Sequence, residues 1–109
     1  MTTKEIDMKS FSLTPYGRYK SDGPNSGESF RTKYLVPALK DPKFDRVVVK
    51  LDSVTPGYEY SSSFLEEAFG GLVRIDHIPV KTILEKLEVV TKYGDYKLEI
   101  KGYIDRASA

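Results

Sequence analysis

Three consecutive valines, Val47, Val48 and Val49, stand between Arg46 and Lys50 and are followed by Leu51. β-Branched side chains lose rotamer freedom in a helix and pack well on a pleated surface, so this run predicts a strand. An unbroken apolar triplet further predicts a central strand covered on both faces, because a half-buried strand would alternate. Such a strand cannot stand alone, and the remaining sequence must supply its neighbours and its cover.

Upstream, Ile6, Met8 and Phe11 are separated by polar residues and predict a strand of about 6 residues near the amino terminus. The segment from Leu13 to Gly27 holds two prolines and three glycines and reads as a long loop. A first helix follows, with Phe30, Tyr34, Leu35, Ala38 and Leu39 as its buried stripe and Pro37 bending or ending it near Val36. Asn25 with Glu28 forms the expected capping box, and Ser26 with Ser29 is the alternative. Beyond the valines, Phe64, Leu65, Ala68, Phe69 and Leu72 predict a second helix, in which Gly70 and Gly71 permit close packing or an early exit.

Pro79 introduces a short helix over Lys81–Lys86, and Leu87–Thr91 reads as another strand. The tail from Tyr96 to Ala107 fits strand spacing at first and helical spacing later, which favours a helical end. Strands alternating with helices predict an α/β fold, a short mixed β-sheet with helices packed against it. At 109 residues one core suffices, so residues 1–109 are expected to form a single domain.

The 17 basic and 16 acidic side chains nearly cancel, which gives no electrostatic case for nucleic acid or an anionic membrane as a partner. No apolar run approaches the roughly 20 residues that span a bilayer. The opening Met1–Glu5 lacks the basic-then-apolar pattern of a signal peptide, so a soluble, cytoplasmic protein is expected. Without cysteine, thiol catalysis and cysteine-based metal sites are excluded, and no cofactor or metal is expected.

The candidate functional residues lie at two helix starts. Ser61, Ser62 and Ser63 precede the second helix, where Ser61 or Ser62 is suited to cap it and a phosphate on Ser63 would meet the positive end of the helix dipole. A catalytic serine would require His77 with Asp76 or Asp52 behind it, and no Gly-x-Ser-x-Gly elbow supports one. No catalytic residue is therefore assigned. Glu66 and Glu67 read as solvated first-turn charges. Arg18, Ser26, Gly27 and Arg31 could hold an anion at the start of the first helix, or the arginines could pair with nearby acids. Tyr58 and Tyr60, with Tyr16 and Tyr19, could present an aromatic contact surface to a partner.

Several of these stretches together resemble a family. The strand Val47–Asp52, the run Ser62-Ser63-Phe64-Leu65-Glu66-Glu67-Ala68-Phe69-Gly70-Gly71-Leu72, Ser26–Arg31 and Tyr103–Ala107 are similar to bacterial and phage STAS-like domains of unknown function. These are relatives of the STAS anti-sigma-factor-antagonist domain. The resemblance implies a non-enzymatic regulatory or protein-interaction module with a protein partner, such as an ATPase of the histidine-kinase type. It also implies that Ser63, or its neighbour Ser62, is the phosphorylated position, although Ser61 stands where the STAS motif has aspartate and Phe64 where it has glycine. The alternative reading is a small anion- or nucleotide-binding protein or enzyme built on Arg18, Arg31 and the serine loop.

Overall fold

The computed structural model describes residues 2–108. Strand β1 (Thr3–Asp7) leads through a 3₁₀ turn (Met8–Ser10) into the long loop, and α1 runs through Gly27–Phe30, a π turn at Arg31–Leu35 and Val36–Lys40. Strand β2 (Arg46–Lys50) precedes α2, which is Ser62–Leu65, a π turn at Glu66–Gly70 and Gly71–Arg74. Helix α3 (Val80–Lys86) passes directly into β3 (Leu87–Val90), and α4 (Gly94–Ala107) closes the fold.

The sheet is parallel throughout, in the order β1-β2-β3, and not mixed. The reason lies in the connections: each strand is followed by at least one helix, and a helical crossover returns the chain in the same direction. The valine strand is indeed central, yet only one face is covered. Val47 and Val49 are fully buried with Leu51 under the helices, while Val48 shares the other, half-exposed face with Arg46 and Lys50. That face is tied across strands by Arg46 to Glu88 at 3.1 Å and Lys50 to Glu5 at 3.2 Å.

Helix α2 runs between α1 and α4 and is buried on most of its circumference, through Phe64, Leu65, Ala68, Phe69 and Leu72. Pro37 neither ends nor breaks α1. A proline ring collides with the carbonyl four residues earlier in a regular α-helix, and the wider π turn just before it, closed by Val36 N–H on Arg31 C=O, makes the room. The end of α1 is held by Lys86, whose Nζ donates to the carbonyls of Leu39 (2.9 Å) and Asp41 (3.1 Å). The tail is helical from Gly94 onward, so its early alternation does not mark a strand; Ile100 and Ile104, four apart, are its buried pair.

Candidate functional site

The carboxyl ends of the strands carry the loops in which ligands of open α/β sheets usually bind, and both helix starts singled out above face that side. They are in opposite states. At α1 the cap is Ser26, not Asn25: Ser26 Oγ accepts from Ser29 N–H at 3.2 Å, while the Asn25 carbonyl is engaged by Tyr16 N–H. Glu28 turns away from the cap and accepts from Lys20 N–H at 2.9 Å. The Gly27 and Glu28 amides donate to the carbonyls of Gly17 (2.9 Å) and Arg18 (3.0 Å), and Phe30 N–H donates to Ser26 C=O. Every early amide of α1 is thus occupied by the chain itself, so Ser26 and Gly27 offer nothing to an anion.

Arg31 is equally committed. Its side chain is 2% exposed, and Nη1 donates to the Glu67 carboxylate and the Glu67 carbonyl, each at 2.6 Å. Its Nε lies 2.8 Å from Asp76 Oδ2, close enough for charge pairing but without the alignment of a hydrogen bond. Arg18 pairs with Glu66, as does Arg74, and both reach Glu67 at 3.4 and 3.3 Å. Three guanidiniums and three carboxylates so form one neutral network joining the long loop, α1, α2 and the turn after α2. Glu66 and Glu67 are therefore not solvated charges: Glu67 is 2% exposed because it lies on the apolar stripe of α2, in helical register with Phe64 and Gly71. The signal was present in the spacing, but the partner 36 residues away was not.

Burial works against the charge on Glu66, but hydrogen bonds from Arg74 and Arg18 outweigh it and hold the carboxyl below its ordinary 4.5. A depressed folded value means that this group's stabilisation is complete above the ordinary value and is lost as pH falls below it, through the folded value. Urea midpoints are thus expected to drop between pH 5 and pH 3, and Glu66→Gln is expected to flatten that slope; an equal slope in the variant would remove Glu66 as its source.

The start of α2 is open. Ser61 is the cap, accepting from Phe64 N–H at 3.1 Å; Ser62 is already the first helical residue and does not cap. Ser61→Ala is expected to lower stability by about 1 kcal/mol and Ser62→Ala by almost nothing, as read from urea unfolding. The amides of Ser62 and Ser63 have no hydrogen-bond partner among the described residues, Ser61 and Ser62 are exposed, and Ser63 is half-buried. His77 lies beyond the far end of α2, about 20 Å from the serines at 1.5 Å per residue, so no serine–histidine pair forms. Its positive φ of 57° turns the chain after α2, and the preceding residue, Asp76, meets Arg31.

Beside the serines, a cleft of about 430 Å³ is lined by Tyr58, Tyr60, Tyr93 and Tyr96 together with Glu59 and Glu99. Tyr60 is a wall and not a contact surface: it is 8% exposed, its hydroxyl donates to Leu51 C=O at 2.7 Å, and its ring meets Tyr96 edge-on. Burial pushes that hydroxyl far above its ordinary value, so it stays protonated. Half-buried Tyr58 donates to the Pro15 carbonyl and ties the long loop to the cleft, leaving Tyr16 67% exposed above it.

A family model for STAS-like domains of unknown function matches residues 26–93, more than half of the chain. The chain belongs to this STAS-like family. The match begins at Ser26, the cap of α1, and ends at Tyr93, just past β3. It therefore contains both π turns, the Arg31–Glu67 pair and the serine start of α2 of the STAS-like domain, whereas β1, the long loop and α4 lie outside. No curated protein and no solved structure matched the chain. Among the described residues no helix is long and apolar enough to cross a membrane.

Proposed function

We propose that this STAS-like domain is a non-enzymatic regulatory module that docks a protein partner at the start of α2, with Ser63, or Ser62 beside it, as the position whose phosphorylation switches the contact. The observation that carries this reading is the contrast between the two helix starts: the chain fills the amides of α1 with its own carbonyls and leaves those of Ser62 and Ser63 open. A phosphate there would sit at the positive end of α2. Glu66 repels it less than its position suggests, because Arg18 and Arg74 neutralise that carboxylate. The exposed Tyr16 and the neighbouring tyrosine cleft supply aromatic surface of the kind partner contacts use. The resemblance to STAS domains adds the class of partner, an ATPase of the histidine-kinase type.

Affinity capture from the source cell tests the reading. The wild-type chain and Ser63→Ala are expected to retain the same protein, and Ser63→Glu to lose most of it. Indifference of every captured protein to both substitutions would make the switch wrong.

A further inference from the structure

The register of the sheet decides which backbone groups are left over at its edges. In a parallel ladder, alternate residues of a strand direct both N–H and C=O to the same side. Leu51 N–H donates to Val90 C=O at 3.1 Å, so Val90 and, two residues earlier, Glu88 face β2. Leu87 and Val89 therefore face outward. Leu87 N–H is taken by Ile83 C=O at the end of α3, which leaves the Leu87 carbonyl and both polar groups of Val89 on an open edge.

The side chains of these two residues open on an apolar groove of about 180 Å³, whose other walls include Ile83, Ile100 and Ile104 and whose exposed lining residues include Lys97 and Lys101. The other edge of the sheet is unlike it. Arg46 N–H donates to Thr2 C=O, so on β1 the outward residues are Thr3, Glu5 and Asp7, all with polar side chains. Polar and charged residues are how sheet edges are normally protected from pairing, and β3 has apolar ones in that place.

We propose that the β3 edge takes an extended segment of a partner protein as a fourth strand, a segment whose alternate, groove-facing residues are apolar in the middle and acidic at the ends. The free groups of Val89 select a strand, since only an extended backbone can match them in register. The groove selects apolar side chains on the helix-covered face. Lys97 has no ion-pair partner among the described residues, and Lys101 has only Asp105 of its own helix, at 2.9 Å; both line the groove and so select carboxylates on the same face of the segment as its apolar side chains. A second copy of this chain fits less well, because two-fold pairing of β3 edges sets the lysines of one copy against those of the other.

The test is amide hydrogen exchange on the full chain with the acetylated, amidated heptapeptide Glu-Thr-Val-Thr-Val-Thr-Glu as probe, whose glutamates and valines share one face. Exchange at Val89 is expected to slow at least about tenfold, and the counterpart with lysine in place of each glutamate is expected to give no protection. Val89→Pro removes a donor the β2 ladder does not use, so peptide-induced shifts at Lys97 and Lys101 should vanish while the circular dichroism of the fold persists. Lys97→Glu, at an exposed position that leaves folding alone, should weaken the glutamate peptide about fivefold. Unchanged exchange at about 1 mM peptide, or equal binding of the two peptides, overturns the proposal. So does protection of Val89 that grows with protein concentration alone, which would assign the edge to a second copy.

Discussion

Arg31→Ala is expected to lower the unfolding free energy by about 3–5 kcal/mol, the range found when one partner of a buried ion pair is removed. The loss comes less from the missing attraction than from what stays behind. Glu67 is 2% exposed, and without Arg31 its carboxylate keeps only Arg74 at 3.3 Å and Arg18 at 3.4 Å. Asp76 loses its cation at the same time. Adding Glu67→Gln to Arg31→Ala should recover part of the stability, since a buried amide is less costly than an unpaired charge. Replacing both, as Arg31→Met with Glu67→Leu, should bring the chain near wild type, because apolar residues of similar volume commonly substitute for buried pairs. Urea unfolding of the wild type and these three variants reads the losses. A loss below about 1 kcal/mol for Arg31→Ala would show that the pair does not hold the helices.

Gly27→Ala should cost at least about 2 kcal/mol, although alanine is the better helix former by about 1 kcal/mol. A Cβ at Gly27 would stand 2.5 Å from the Phe64 carbonyl oxygen and 3.2 Å from Ala68 N. Both are backbone atoms of α2, so no rotamer change relieves the collision and the two helices must separate over the core they share. At Gly94, the first residue of α4, a Cβ would meet nothing within 4 Å. Gly94→Ala is the matched control and should stay within about 0.5 kcal/mol of wild type. Similar losses at the two sites would mean that the α1–α2 approach tolerates a methyl group.

The sequence makes most of the element order legible, and its failures are local and physical. Val48 was expected inside because it lies between two buried valines, yet period two puts it with Arg46 and Lys50, and those charges mark the open face. The one-residue error between Asn25 and Ser26 arises because both side chains can cap; the decision was made by Tyr16, whose N–H takes the Asn25 carbonyl. Ser61 and Ser62 were equally suited for the same reason. The site was less legible than the fold. Arg18 and Arg31 look like anion ligands in one dimension, and only the folded chain brings Glu66, Glu67 and Asp76 against them. The open edge of β3 has no sequence signal at all, since it follows from strand order and ladder parity.

The two π turns let this helix pair absorb a kind of change that a regular helix cannot. A π turn carries one residue more than the α turn it replaces. Deleting a single residue within 66–70 would let that turn rewind as regular α with the segments on either side close to their present angular phase, whereas the same deletion in a regular α turn rotates one side by about 100° relative to the other. Ser61–Ser63 would then keep their orientation relative to Gly71, whose lack of a side chain is what admits Arg31. The long loop between Phe11 and Asn25 can vary in length in either direction, but the spacing from Ser61 to Gly71 has a tolerance of one residue, and only for a loss.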